Sequence, residues 1–156
     1  MIYIYRFLIN IIIILSPLII LIRLLKKKED IKRFKEKFSF FSKKRGRGKL
    51  IWFHTASVGE LLSIVSLIKK MEKNKKISQI LVTTTTLTSS KLFNKFKFKK
   101  AIHQFFPIDN NSLTKKFLDY WSPNLAIFIE SEIWPNMIKN LEKKSIKKIL
   151  LNARIS

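Results

Sequence analysis

Apolar and amphipathic stretches alternate along the chain from Lys49 to Ser156. Short apolar runs predict five strands, at Leu50–His54, Ile80–Thr84, Ile102–Phe106, Leu125–Ile129 and Lys148–Leu151. Apolar residues at three- and four-residue spacing predict four helices between them, at Glu60–Lys73, Ser89–Phe96, Ser112–Trp121 and Pro135–Lys144. Strands that alternate with helices are typical of βαβ units. The pattern therefore predicts an α/β fold, a parallel sheet with helices on both faces.

A long apolar run opens the chain. Phe7–Ile22 is apolar except for Asn10 and Ser16, and with its flanks it approaches the roughly 20 residues that cross a bilayer as a helix. A basic run follows it, so the positive-inside rule places the rest of the chain in the cytoplasm. We interpret residues 1–25 as a transmembrane anchor. A cleaved signal peptide is a poorer interpretation, because no small-residue cleavage site follows the apolar run. A buried core helix is also a poorer interpretation, because the run has no polar face.

The segment 26–48 is basic and amphipathic. Ile31, Phe34, Phe38 and Phe41 recur at helical spacing among lysines and arginines. Such a helix could lie on an anionic leaflet, or its apolar stripe could pack against the following domain, and the two interpretations are compatible. The glycines of "RGRG" predict a flexible boundary before a globular domain at 49–156.

Net charge and cysteine content bear on the partners of the chain and on the bonds that can stabilise its fold. The 156 residues carry a net charge of +22, which favours an anionic partner such as nucleic acid, acidic lipid or a phosphorylated substrate. Compositional drift in an AT-rich genome explains the same excess of lysine. Cysteine is absent, so neither disulfides nor thiolate metal sites hold the fold.

Three acids follow predicted strands. Glu60 stands in "HTASVGE" after the first strand, and Glu130 and Glu132 stand in "ESEIWPN" after the fourth. Ligands of parallel sheets bind outside the carboxyl ends of the strands, where the hydroxyl-rich "TTTTLTSS" also falls. We expect Gly59 to permit a tight backbone turn that fixes Glu60. Alternatively, all three acids are helix-start residues stabilised by the helix dipole.

The sequence lacks the motifs of metal sites, nucleotide-binding sites and serine hydrolases. His54 and His103 have no companions at metal-ligand spacing, so no metal site is predicted. Neither a GxxxxGK[ST] phosphate loop, a GxGxxG fingerprint nor a GxSxG elbow is present.

Four ordered motifs carry a family resemblance. "IWFHTASVGE", "VTTTTLT", "FIESEIWPN" and "LNARIS" resemble the N-terminal half of 3-deoxy-D-manno-octulosonic acid (Kdo) transferases. The resemblance implies a Rossmann-like acceptor-side domain of an inverting GT-B glycosyltransferase. Such enzymes transfer Kdo from CMP-Kdo to lipid IV(A), without a metal or other cofactor, at the cytoplasmic face of the inner membrane.

The resemblance also implies roles for single residues. Glu60 would be the base that deprotonates the acceptor hydroxyl, Glu130 would stabilise the transition state, and Glu132 would support it. Substrate contacts are expected from the two loops that carry hydroxyls and glycine, at Ser57, Gly59, Thr84 and Thr86.

The donor domain of the family, which holds CMP-Kdo, is not expected within these 156 residues. We therefore expect the chain alone to be inactive, as a fragment or as half of a split enzyme with a separate donor-domain chain. A different hypothesis is a non-catalytic, membrane-anchored module that binds an acidic lipid or regulates a full-length transferase. A nucleic-acid-binding protein is the third hypothesis, but it leaves the anchor and the acids unexplained, so no nucleic-acid partner is predicted.

Overall fold

The computed structural model describes residues 2–130 and 133–151. Its elements are helix α1 (Ile2–Leu25), a 3₁₀ helix (Phe34–Phe38), β1 (Leu50–Thr55), α2 (Val58–Glu72), β2 (Gln79–Thr84), α3 (Leu87–Lys95), β3 (Ala101–Phe105), α4 (Asn111–Trp121), β4 (Leu125–Ile129), α5 (Pro135–Lys143) and β5 (Lys147–Leu151). Each predicted strand and helix of the globular part is confirmed to within two residues.

The five strands form one parallel sheet in the order β3-β2-β1-β4-β5. Phe53 in the central strand pairs with Val82 on one side and Ile127 on the other. The chain builds the sheet outward from β1 to β3, then returns past β1 to add β4 and β5. This order confirms the predicted Rossmann-like α/β fold and places a topological switch point between β1 and β4.

Two hydrophobic layers cover the sheet, because successive residues of a strand point to opposite faces. Ile51 and Phe53 of β1 pack in the layer that contains α2 and α3. Leu50 and Trp52 pack in the layer that contains α4 and α5. The four central side chains are at most 3% exposed, so β1 is buried on both faces.

The segment 26–48 differs from its prediction. The expected amphipathic helix is a five-residue 3₁₀ helix, which ends where Ser39 adopts a left-handed backbone (φ 56°) and donates its hydroxyl to the carbonyl of Leu113 at 2.7 Å. Ile31 is 76% exposed, whereas Phe41 stacks on Tyr120 with ring centroids 3.8 Å apart. Part of the apolar stripe therefore packs on the domain, as one of the two interpretations anticipated.

The predicted glycine boundary is also a packed segment. Gly48 has φ 90°, and a Cβ at that position would lie 2.2 Å from the Ser78 hydroxyl oxygen. The Gly46 amide donates to the side-chain oxygen of Gln79 at 2.9 Å. Only glycine fits at position 48, because both its backbone angle and its close neighbour exclude a side chain.

Helix α1 confirms that an apolar helix precedes the domain. Its 24 residues have a mean hydropathy of 2.7 in their most apolar window, which by length and composition suffices to cross a membrane. No second helix in the part of the chain that the structure describes meets this criterion.

Candidate functional site

The candidate site lies at the carboxyl ends of β1 and β4, which are neighbours in the sheet. The chain leaves these two strands toward opposite faces, since α2 packs on one face and α5 on the other. A crevice forms at such a switch point in open α/β sheets, and ligands bind there. Glu60 follows β1 and Glu130 follows β4, so the two predicted acids lie after the carboxyl ends of neighbouring strands.

Glu60 is held rigidly on the first turn of α2. Ser57 caps the helix, with its hydroxyl accepting the Glu60 amide at 3.2 Å. The Glu60 carboxylate reaches back, and its Oε2 accepts the Ala56 amide at 2.8 Å. This reciprocal pair is a variant of the capping box. The side chain is 7% exposed, so its position is fixed by its surroundings rather than by solvent.

Gly59 does not make the predicted tight turn. It lies inside α2, and the positive backbone angle that favours glycine occurs at Gly48 instead. A Cβ at position 59 would meet only the Ser57 hydroxyl oxygen, at an ordinary 3.9 Å. The expectation was wrong because "VG" already belongs to the helix. The missing side chain instead leaves open, exposed space next to Glu60.

Glu130 occupies an unusual backbone conformation. Its φ is 59°, a left-handed value that costs a residue with a Cβ about 1–2 kcal/mol. Its amide donates to the carbonyl of Leu151 at 2.9 Å, which joins the end of β4 to the end of β5. Strained residues of this kind cluster at functional sites. Glu132, the third predicted acid, lies outside the described residues.

The hydroxyl run that begins at the end of β2 and continues into α3 is largely engaged in hydrogen bonds within the protein. Thr83 accepts the Trp52 indole N–H at 2.9 Å, and Thr84 is fully buried with its hydroxyl 2.9 Å from His103 Nε2. Thr86 caps α3 by accepting the Ser89 amide at 3.2 Å. Thr85 donates to the Ala56 carbonyl at 2.9 Å and so joins this segment to the loop that precedes α2 and Glu60.

The predicted substrate contacts differ in access. Ser57 and Gly59 are exposed, Thr86 is half-buried and Thr84 is enclosed. These four assignments remain predictions. Thr85 was not predicted, because only the folded structure shows which carbonyl its hydroxyl reaches.

Both histidines are neutral, buried groups. Burial lowers the pKa of His54 to about 3, and its ring stacks on Phe106 at 3.9 Å. Burial, followed by the charges of Arg33 and Lys43, lowers the pKa of His103 to about 3. Among residues 2–130 and 133–151, no three His, Asp or Glu side chains are grouped to hold a metal ion.

Sequence reasoning also missed a buried ion pair beside the sheet. Arg33 and Glu36 form a bidentate pair at 2.8 and 2.9 Å. Glu36 Oε2 accepts the Phe105 amide of edge strand β3 at 2.8 Å, and Arg33 donates to His103 Nδ1 at 2.8 Å. The i,i+3 spacing of Arg33 and Glu36 was the available signal, but it does not reveal the strand that they contact.

Comparison with known proteins gives consistent matches. A family described as 3-deoxy-D-manno-octulosonic-acid transferase (kdotransferase) matches residues 32–156. The chain is 45% identical over 138 residues to the 3-deoxy-D-manno-octulosonic acid transferase of Rickettsia bellii, covering 88% of this chain and 33% of the relative. It is 37% identical over 186 residues to the Rickettsia felis transferase, covering 89% of this chain and 40% of the relative.

A plant relative matches over a similar range. The probable mitochondrial 3-deoxy-D-manno-octulosonic acid transferase of Arabidopsis thaliana is 38% identical over 144 residues, with 90% of this chain and 32% of the relative covered. The chain thus spans between about a third and two fifths of the length of these three relatives.

Proposed function

This chain belongs to the 3-deoxy-D-manno-octulosonic-acid (Kdo) transferase family, and on that premise we propose that residues 49–156 form the acceptor-side domain of a glycosyltransferase in lipopolysaccharide synthesis. The proposed reaction transfers Kdo from CMP-Kdo to lipid IV(A), with inversion and without a metal. The observation that supports it is a carboxylate, Glu60, fixed at the switch point of a Rossmann-like sheet.

Glu60 is the proposed general base. An acceptor alcohol is a weak nucleophile until a base removes its proton, and a positioned carboxylate can do so. The oxygen of the acceptor then attacks the anomeric carbon of Kdo while the bond to the phosphate of CMP breaks. The electron pair of that bond leaves with CMP, and the proton stays on Glu60.

Glu130 is proposed to stabilise the positive charge that develops on the sugar in the transition state. Its place at the end of β4, across the switch point from Glu60, supports this role. Glu132 is proposed to support Glu130. Ser57, Gly59, Thr84 and Thr86 are proposed to contact substrate, with Ser57 and Gly59 the most accessible of the four.

A membrane location fits the acceptor. Lipid IV(A) is a phosphorylated glycolipid, and the chain combines an apolar helix with a net charge of +22. We propose that α1 attaches the domain to the cytoplasmic face of the inner membrane. Anionic headgroups would add to the attraction through the lysines that follow α1.

CMP-Kdo is assigned to a donor-side domain, on the same polypeptide or on a separate chain. The relatives are two and a half to three times as long as the part that matches here, which leaves room for that domain in them. By this assignment, residues 1–156 alone do not transfer Kdo.

A chimera tests the proposed activity. Residues 1–156 replace the matching part of the Rickettsia bellii transferase, and Kdo transfer from CMP-Kdo to lipid IV(A) is measured in membranes. We expect transfer within about tenfold of the parent enzyme, because the two sequences are 45% identical over 138 residues. A folded chimera that binds CMP-Kdo normally but transfers no Kdo would contradict the proposed function and favour a non-catalytic module.

A further inference from the structure

Helix α1 has one covered face along its entire length. Its side chains that are not fully exposed recur every three or four residues, which places them on one face of a helix. They are Ile2, Tyr5, Arg6, Ile9, Ile13, Ser16, Ile20, Arg23 and Leu24. Ile20, near the end of the helix, is only 8% exposed. A helix that projected away from the domain through a bilayer would not show a covered stripe over all of its turns.

Polar side chains fasten the beginning of α1 to the domain. The Tyr5 hydroxyl donates to Asp109 Oδ2 at 2.7 Å. Arg6 donates through Nε to Asn136 Oδ1 at 2.8 Å and through Nη2 to Asn111 Oδ1 at 2.9 Å. These partners lie at the starts of α4 and α5, so the first turns of α1 lie against the globular domain.

The partner of Tyr5 is itself built into the domain. Asp109 is 1% exposed and accepts the amides of Asn136 and Met137 at 3.0 and 2.8 Å, which caps α5. Next to it, Asn110 donates to Asn10 Oδ1 at 2.8 Å. The polar side chains of α1 that would be costly in lipid are therefore the ones that bind the domain.

The other end of α1 is fastened as well. Arg23 donates to Glu29 at 2.8 Å, and Lys37 of the 3₁₀ helix contacts the same carboxylate at 2.7 Å. The 3₁₀ helix is in turn bound to β3 through Glu36 and the Phe105 amide. A helix of 24 residues is about 36 Å long, and both of its ends are held by the same domain.

The outward face of α1 is apolar throughout. Tyr3, Ile14 and Leu25 are 79%, 76% and 76% exposed, and further apolar side chains between them are at least 39% exposed. Exposed lysines at positions 26, 27 and 28 continue directly from this face. An apolar surface with an adjoining basic run fits an anionic bilayer, where the lysines would meet headgroup phosphates.

Resting on the membrane attachment proposed above, we infer that α1 lies in the plane of an anionic bilayer, between the lipid and the domain, and does not cross it. The length and hydropathy of α1 fit both an in-plane and a membrane-crossing helix, because neither quantity depends on which side chains bind the domain. Crossing would carry Tyr5 and Arg6 toward the far side of the membrane and Asn10 into its hydrocarbon core, away from Asp109, Asn136 and Asn110. The in-plane orientation keeps these hydrogen bonds and still buries the apolar face.

Spin labels at three positions test the orientation. The chain has no cysteine, so Tyr3→Cys, Ile14→Cys and Leu25→Cys each give a single labelling site. The three positions are eleven residues apart and share one face of the helix. The full chain is bound to vesicles of phosphatidylethanolamine and phosphatidylglycerol, and the depth of each label is measured by collisional relaxation. Lys75→Cys, on an exposed loop of the domain, is the matched water-facing control.

We expect the three labels to have a similar, shallow depth of about 5–10 Å. A middle label about 16 Å deeper than the end labels would overturn the inference, because that is the profile of a crossing helix. Labels as accessible to water as position 75 would overturn it together with the membrane attachment. Strong spin–spin broadening without lipid contact would overturn it in favour of a second copy of the chain. The depths are measured without substrate, so a failure of the proposed transfer reaction would be seen separately.

Discussion

At the scale of single residues, substitutions of Glu130 can separate the effect of its backbone strain on stability from the effect of its carboxylate on Kdo transfer. Its left-handed backbone is one that glycine adopts freely, whereas its carboxylate is the proposed stabiliser. We expect Glu130→Gly to leave the free energy of unfolding unchanged or to raise it by up to about 1 kcal/mol, and to lower Kdo transfer. Urea unfolding and transfer by the chimera check the two effects.

The matched control for this variant is Glu130→Gln, which keeps the strained backbone and removes the charge. It should lose transfer without gaining stability. If both variants transfer Kdo at the parent rate, Glu130 has no role in the transition state.

Gly59 offers a second test at this scale. Because a Cβ there meets nothing closer than 3.9 Å, Gly59→Ala should fold normally and stabilise α2 by about 0.5–1 kcal/mol. The added methyl group would occupy open space beside Glu60, so we expect the KM for lipid IV(A) to rise several-fold. An unchanged KM, measured alongside the thermal unfolding midpoint, would show that the acceptor does not approach this face.

At the scale of elements, the buried pair Arg33–Glu36 fixes the segment 26–48 to edge strand β3. Glu36→Ala would remove the anionic partner of Arg33 and the acceptor of the Phe105 amide, and removing one member of a buried pair costs about 3–5 kcal/mol. We expect a loss of that order in urea unfolding of the full chain in detergent. Glu142→Ala, which breaks the exposed pair with Lys148, should change stability by less than about 1 kcal/mol. Equal losses of stability in the two variants would contradict the role of the Arg33–Glu36 pair in fixing the segment 26–48 to β3.

The regular elements could be predicted because their signals are local. The continuous apolar run of β1 and the helical spacing of α2 predicted these elements from sequence alone, and Trp52, Phe53 and Leu61 within them are buried. The helix predicted around Phe34 and Phe38 was wrong, because the left-handed turn at Ser39 depends on the distant Leu113 carbonyl. Contacts between remote residues decide such segments, and sequence spacing does not contain them.

At the scale of the whole molecule, the strand order brings the two predicted acids to the ends of neighbouring strands. The sequence predicted that Glu60 and Glu130 follow strands, but the pairing of β1 with β4 joins residues that are more than seventy positions apart. The hydrophobic periodicity of the sequence does not show which strands pair. The family resemblance supplied the roles of the acids, whereas the switch point between them became visible only in the folded sheet.

Stability of the whole domain should depend on pH through its two histidines. The pKa of each is about 3 when folded and about 6.5 when unfolded, so the unfolded chain binds more protons between these values. Stability is therefore complete above about pH 6.5 and falls as the pH drops toward 3, by about 1.4 kcal/mol per pH unit for each histidine. Asp109 acts in the opposite sense, since burial raises its pKa.

Urea unfolding at pH 7 and pH 5 measures this dependence, and His103→Asn should show about half of the slope. Arg33, Ser90 and Thr84 contact the His103 ring and remain in that variant. A slope that is flat in the parent chain would contradict the assignment of two neutral, buried imidazoles.

The most direct test of the central claim is the single-turnover rate of Kdo transfer by the chimera with Glu60→Gln. Glutamine keeps an oxygen that can accept the Ala56 amide, so the cap of α2 persists while the base is lost. We predict a fall of about 10²- to 10⁴-fold with lipid IV(A) binding retained, whereas Glu142→Gln, an exposed carboxylate on α5, stays within about twofold of the parent. A Glu60→Gln rate equal to that of Glu142→Gln would reduce Glu60 to a helix cap and contradict its assignment as the base.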